Sequence, residues 1–202
     1  MTSVPKPFKF LKLHYPNLVT HYQTLPPSEF KKSLADFLSV LSMTMAEPNQ
    51  QTSLKLLIEG TLKDYMNWGH EYMHHIAGDI GVEYGKRIED QQGFDDLLEL
   101  VKQIVPHFIQ SSAEADAIDL LLEVDRLEDL CQFITKDNFS RVFIYLTSSS
   151  LYSADPDEML KTLKTTFDIC LKQQEFSNAL TLALKLDDMD LIKKVFEKCE
   201  DK

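Results

Sequence analysis

Apolar residues recur along this chain with a helical period nearly from end to end. Phe30, Leu34, Phe37, Leu38, Leu41 and Met45 fall mostly three or four residues apart, so a helix wound through them carries a single apolar stripe. Phe94, Leu97, Leu98, Val101, Ile104 and Phe108 repeat the pattern, and so do Leu160, Leu163, Phe167, Cys170 and Leu171. No run alternates convincingly with period two. The best strand candidate, Val142-Phe143-Ile144-Tyr145-Leu146, reads more easily as a buried helical turn. Start signals sit where stripes begin. Asp155-Pro156 with Glu158 supplies a cap, a proline for the first helical position and an acid for the first turn. Ser111 with Glu114, and Asp125 with Glu128, have the spacing of a capping box. The polar run Thr147-Ser148-Ser149-Ser150 marks a helix terminus or loop.

Late in the chain the pattern repeats itself. AIDLLLEVDRLEDLCQFI (117–134) aligns without gaps to ALTLALKLDDMDLIKKVF (179–196), 62 residues on. Ala, Leu, Leu and Asp are identical at 117/179, 120/182, 122/184 and 125/187, and apolar residues also match at 118/180, 121/183, 124/186, 127/189, 130/192 and 133/195. Each copy reads as a helix, a tight connection at Asp125 or Asp187 that caps the next helix, and that next helix. One such pair cannot bury its apolar face alone, and stacking neighbours supplies the burial. The expected fold is all-α: stacked antiparallel helix pairs forming an α-solenoid-like helical-repeat domain. A single domain is expected over 1–202. Its N-terminal helices run over 1–110, including a helix over 64–87 rich in histidine and glycine, and repeat pairs follow over 111–202.

Composition narrows the possible partners. The net charge of −11 disfavours phosphate-rich surfaces, which argues against nucleic acid and against an anionic membrane. No stretch approaches the length of a membrane span. Cys131, Cys170 and Cys199 are odd in number and widely spaced, forming neither a metal-binding C-x-x-C nor a disulfide framework. They read as reduced thiols packed in helices, which suits a protein of the cytoplasm or nucleus. Seven acids between 114 and 129, against the single Arg126, read first as the solvated face of an amphipathic helix. Lys6, Lys9 and Lys12, interleaved with Phe8, Phe10 and Leu11, have the pattern of a small docking helix.

One stretch carries candidate chemistry. His70-Glu71-Tyr72-Met73-His74 fits H-E-x-x-H, in which two histidines on one helical face hold zinc and the glutamate activates bound water. The wider zinc-protease pattern is missing. Ala77 and Ile80 stand where a glycine and a third histidine would continue one common version, and Glu89 or Glu99 would have to serve as third ligand. A structural account uses the same residues. Tyr65, Tyr72, Met73, Ile76 and Ile80 form an apolar stripe against one neighbour. His74, Gly78, Gly81 and Gly85 form a small-residue stripe that admits another helix closely, so a leucine at Gly78 would overpack that contact. Trp68 then serves as a packing anchor, with His70 and His75 hydrogen-bonded or partly exposed.

Several stretches together resemble a known family. PKPFKFLKLHY (5–15), LADFLSVLSMTMA (34–46), WGHEYMHHIAGDIG (68–81), LVKQIVPHFI (100–109), YLTSSSLY (145–152) and FSNALTLALKLDDMDLI (176–192) occur in this order in the largest non-ATPase scaffold subunits of the 26S proteasome regulatory-particle base, often called regulatory subunit 2. The resemblance covers essentially the whole chain and corresponds to the N-terminal helical part of a longer subunit. In that family, W-G-H-E-Y is typically followed by an apolar residue, an arginine and a histidine. His70, Glu71, Tyr72 and His75 match, and His74 stands where arginine is usual, so the zinc pattern arises from one basic residue replacing another. The resemblance implies a non-enzymatic scaffold with no catalytic, cofactor-binding or metal residues. It implies packing against other regulatory-particle subunits, above all the ATPase ring. Ubiquitin, ubiquitin-like shuttle factors and a deubiquitinase would dock only on the toroid of longer repeats, which this chain does not include. Two other readings stand beside it: a zinc peptidase using His70, Glu71 and His74, and an unrelated helical-repeat adaptor.

Overall fold

The computed structural model describes residues 10–45 and 51–199. Lys6, Phe8 and Lys9 of the expected docking helix lie outside them, while Lys12 falls in an exposed 3-10 turn, Lys12–His14. Among the described residues every regular element is helical, as the stripes require. Ten α-helices follow in order: α1 Tyr15–Thr24, α2 Glu29–Met43, α3 Thr52–Glu59, α4 His70–Glu89, α5 Asp95–Gln110, α6 Glu114–Glu123, α7 Lys136–Ser149, α8 Pro156–Lys172, α9 Phe176–Lys185 and α10 Met189–Lys198. Two further 3-10 segments, Tyr65–Asn67 and Leu127–Gln132, interrupt them. The segment read as a turn of helix, Val142 to Leu146, lies inside α7.

Two compact units divide the chain, residues 1–107 and 108–202. The division falls in the turn of α5 that holds Pro106, whose missing N–H leaves one helical bond unmade. In the first unit α1, α2, α3 and α4 pack on their neighbours in sequence. Leu38, Leu41, Leu54, Leu57, Met73, Ile76 and Ile80 fill its interior. Arg87 ties the end of α4 to the start of α5 through Asp96 Oδ1 at 2.6 Å, beside an edge-on contact of Tyr84 with Phe94.

The helix over 64–87 begins six residues later than its expected start. Gly69 sits at φ 117°, a conformation open mainly to glycine, and it separates the 3-10 turn from α4. Tyr65 is still buried, but from that turn, and its hydroxyl donates to Gln103 Oε1 at 3.3 Å.

In the second unit α6, α7, α8, α9 and α10 pack in sequence, with Leu127–Gln132 lying against α8. Asp155 caps α8 by accepting from the Asp157 amide at 2.9 Å, with Pro156 first in the helix, as its sequence signal requires. The other two cap assignments do not hold. Ser111 caps nothing, because α6 is preceded by Ala113 with no side-chain bond. Ser112 has turned left-handed, at φ 57°, to close α5 instead.

Asp125 and Asp187 likewise close the helix before them. Each sits at φ 52°, and the next amide reaches back five residues: Arg126 N–H to Leu121 O at 2.8 Å, Asp188 N–H to Ala183 O at 3.2 Å. This is the Schellman closure, usually built on glycine. Gln91, Ser112 and Gln174 close α4, α5 and α8 in the same way. The two repeat copies differ one residue later. Asp188 caps α10 by accepting from the amides of Asp190 and Leu191. Its equivalent, Arg126, has no acceptor to offer, and the segment after it winds only as a 3-10 helix.

The acidic run around α6 is mostly the solvated face its pattern suggests, with Asp119, Glu123, Asp125, Glu128 and Asp129 exposed. Glu114 is buried and accepts from Arg141 of α7 through both Nε and Nη2. Asp119 accepts from the Tyr145 hydroxyl at 2.6 Å, and Lys161 of α8 lies between Asp125 and Glu128. These acids stitch successive helices together.

Two outcomes follow. Leu182, buried in the second repeat copy, costs roughly 2–5 kcal/mol when cut back to alanine, measured by urea denaturation. The Arg141 hydrogen bond holds the Glu114 carboxyl below its ordinary 4.5, against the opposing effect of burial. That contribution is present above pH 4.5 and is lost as the pH falls through the lower folded value. Arg141→Met is therefore less stable than the parent at pH 7, and the gap narrows in acid.

Candidate functional site

The H-E-x-x-H residues head α4 and are exposed: His70, Glu71 and His74 all face outward. Neither acid considered as third ligand joins them. Glu89 closes the same helix, about 28 Å along its axis from His70. Glu99 pairs with Lys102 on α5 at 2.6 Å. Among the described residues, no three of histidine, cysteine, aspartate or glutamate gather as a metal site would require.

The stripe of small residues also turns out differently. Beyond the local backbone of α4 itself, no described atom lies within 4 Å of a Cβ built on Gly78 or Gly85, and both are exposed, while Gly81 is buried. A side chain at Gly78 would therefore point into open space, and the expected overpacking there is withdrawn. The close glycine contact is at Gly60 instead. A Cβ there would stand 1.9 Å from Asp36 Oδ1, because the Asp36 carboxylate takes the Thr61 amide at 3.0 Å and the Thr61 hydroxyl at 2.6 Å.

The opposite face of α4 holds what the motif search missed. Tyr72, His75 and Asp79 share one side of the helix, spaced three and four apart. They meet Ser39 and Ser42 of α2 and Ser53 at the start of α3. Counting protons fixes the direction of each bond. Ser39 donates its single hydroxyl proton to the Ser53 carbonyl at 2.6 Å, so at the 2.6 Å contact between Ser39 and Tyr72 the phenol donates. Ser42 donates to the Ser39 carbonyl at 2.8 Å, so Ser53 donates to Ser42, also at 2.8 Å. Ser53 then has no proton left, and at 3.2 Å the His75 Nε2–H donates to it.

Serine, histidine and aspartate so close together raise the question of a nucleophilic relay. The geometry answers against it. A relay needs the histidine to accept from the serine through one nitrogen and to donate to the carboxylate through the other. Here Asp79 Oδ2 lies 3.7 Å from the same Nε2 that faces Ser53, and that nitrogen carries the proton. Ser53 is itself sealed in the core.

Asp79 has a structural task. Gln51, the residue before α3, is left-handed and gives no side-chain cap. The Asp79 carboxylate accepts from the Leu54 amide in the first turn of α3 at 3.4 Å, where the helix dipole favours negative charge. Burial pushes its carboxyl up, while His75, the Leu54 amide and Lys86 pull it back. Lys86 also donates to the Gln51 side chain. Among the described residues, no buried side-chain nitrogen or oxygen lacks a partner. Trp68 packs on Tyr72 with ring centres 5.3 Å apart, the anchoring role its position suggested.

The arrangement is a structural core with its polar groups committed to one another. Comparison with known proteins places it. The sequence matches the family described as RPN1 N-terminal domain over residues 1–202. This chain belongs to that family. It is 44% identical over 201 residues to 26S proteasome non-ATPase regulatory subunit 2 homolog A of Arabidopsis thaliana, covering 100% of the chain and 22% of the relative. To 26S proteasome regulatory subunit rpn1 of Schizosaccharomyces pombe it is 44% identical over 200 residues, covering 99% of the chain and 22% of the relative. To 26S proteasome non-ATPase regulatory subunit 2 of Dictyostelium discoideum it is 43% identical over 201 residues, with 100% of the chain and 22% of the relative covered. The chain thus spans about a fifth of the length of the relatives it matches. The resemblance read from the sequence holds, and in this RPN1 N-terminal domain His75 is the half-buried histidine that reaches Ser53.

The two glycines separate by substitution. Gly78→Ala raises stability by about 0.5–1 kcal/mol, the gain expected at an exposed helical glycine. Gly60→Ala lowers it by roughly 1–3 kcal/mol through overpacking against Asp36. Paired thermal melts measure both.

Proposed function

We propose that this chain is a non-catalytic scaffold segment of the 26S proteasome regulatory-particle base, serving ubiquitin-dependent protein degradation. It packs against other regulatory-particle subunits, with the ATPase ring foremost, and holds in place a toroid of longer repeats that the polypeptide carries elsewhere. Ubiquitin and ubiquitin-like shuttle factors reach the subunit through that toroid. The protein works in the cytoplasm and nucleus. The observation that carries this reading is the match of the whole chain to the RPN1 N-terminal domain, together with relatives described as regulatory subunits of the 26S proteasome.

The core chemistry supports the same conclusion. A catalytic serine or histidine needs a lone pair or a proton directed at substrate. Ser53 and His75 direct theirs at each other and at the ends of neighbouring helices. The exposed His70, Glu71 and His74 cover one turn at the head of α4, and no group of three histidine, cysteine, aspartate or glutamate side chains among the described residues is arranged to hold a metal ion.

Tagging the polypeptide that carries this chain in its own cells, and purifying it at moderate salt, tests the proposal. The regulatory-particle ATPases are expected in the eluate in stoichiometric amounts. An eluate holding no proteasome subunit would overturn the proposal. One tightly bound zinc per chain, lost in His74→Ala, would overturn its non-catalytic part.

A further inference from the structure

Between α6, the end of α7 and the start of α8 lies a cavity of about 420 Å³, within the roughly 300–1,000 Å³ of ordinary ligand sites. Leu122 of α6, Tyr145 and Ser148 of α7, Tyr152 of the following loop, and Glu158 and Thr162 of α8 line it. Several hydroxyls along the wall are already engaged. Tyr145 donates to Asp119 Oδ1 at 2.6 Å, and Ser149 and Ser150 donate to carbonyls of α7. Three acceptors remain. Glu158 takes the Ser153 hydroxyl on Oε2 at 2.7 Å, which leaves Oε1 open. The Ser148 hydroxyl, on an exposed residue, bonds to no other described group. Thr162 is only 4% exposed, yet its hydroxyl has no partner among the described residues either. Every fully enclosed side-chain oxygen does have one, so the Thr162 oxygen is the part of that residue that opens on the cavity.

The charge around these acceptors has one sign. None of the described residues lining the cavity is a lysine, arginine or histidine, and Lys161, beside Thr162 in sequence, is turned to Asp125 and Glu128. Glu158 stands in the wall, Asp119 lies behind Tyr145, and α7 ends here with the negative pole of its dipole. The positive end of α8 is answered by Asp155, which accepts from the Asp157 amide. We propose that this cavity receives the ammonium group of a lysine side chain presented by a partner polypeptide. An ammonium carries three donors and no acceptor, which matches Glu158 Oε1 and the hydroxyls of Ser148 and Thr162. Leu122 and the Tyr145 ring cover the methylenes of the lysine stem. Tyr152, 88% exposed, offers an aromatic face to the charge. Ile144, one turn before Ser148 on α7, and Leu151 are also exposed, so an apolar residue next to that lysine finds a shoulder to pack on. The shoulder selects a polypeptide over a free amine. The inference rests on the cavity and is independent of the function proposed above.

Saturation-transfer NMR on the polypeptide that carries this chain tests it. The probe is the capped peptide Leu-Lys-Leu, and its norleucine counterpart, which lacks only the ammonium, is the control. Saturation is expected on the lysine methylenes, with the norleucine peptide bound at least about tenfold more weakly, the loss of charge-assisted hydrogen bonds. Glu158→Gln is expected to weaken the lysine peptide by a similar factor, and Thr162→Val by about threefold or more. Glu197→Gln, an equal change of charge at an exposed site on α10, leaves binding within about twofold. Thr162→Val keeps the shape of the residue and removes a hydroxyl the fold does not use, so its melting temperature is expected to equal or exceed the parent's. Absent saturation, or equal binding of the two peptides, would overturn the proposal. So would equal weakening by Glu158→Gln and Glu197→Gln, which would reveal attraction to an acidic surface at large. A lower melting temperature for Thr162→Val would assign its hydroxyl to the fold instead. Butylammonium bound as tightly as the peptide would overturn the polypeptide as occupant.

Discussion

Helices of this length do not stand by themselves. In water an isolated helix shorter than about 12–15 residues is marginal, and α1, α6, α9 and α10 have ten residues each while α3 has eight. Their stability has to come from neighbours, so the position of each helix end matters as much as the helix itself. The chain meets this constraint with a recurrent closure, a left-handed residue followed by an amide reaching back five positions, at the ends of α4, α5, α6, α8 and α9. None of the five left-handed residues is glycine. Each accepts a local backbone cost that the packing of the next helix offsets.

How legible this was in sequence depends on how local the cause is. The apolar stripes set helix existence and buried face, and Asp155-Pro156 set a boundary, because both act within one or two turns. The helix start at His70 was hidden, since Gly69 reads as one more small residue until its φ is known. Ser111 and Asp125 have the spacing of caps, yet the chain had already reversed at Ser112 and Asp125 to close the helices before them. The contrast between Arg126 and Asp188 is visible in the aligned repeat. It explains why one copy continues as an α-helix and the other as a 3-10 segment.

The polar core was the least legible part. Ser39, Ser42 and Ser53 look like ordinary helix serines, and only the meeting of three helices gives them partners. By contrast, the His70-Glu71-x-x-His74 pattern was conspicuous in sequence and faces outward from the fold. A motif's letters fix which residues share a turn; whether that turn faces a neighbour is decided by the stripe on its other side. On α4 the stripe of Tyr72, Ile76 and Ile80 turned His70, Glu71 and His74 away from the core and left His75 at its edge, in reach of Ser53.

The serine network also bears on how the first unit answers mechanical load. Sliding α4 along α2 by one turn, about 5.4 Å, would leave apolar side chains still facing apolar side chains. The bonds that cross from α4, however, Tyr72 to Ser39, His75 to Ser53 and the Leu54 amide to Asp79, would all be lost at the same step, while those among Ser39, Ser42 and Ser53 lie within and between α2 and α3 and would remain. Oil-like packing yields gradually to shear, whereas bonds made in one register are lost together. The seat of α4 on α2 and α3 is therefore fixed in register as well as in face.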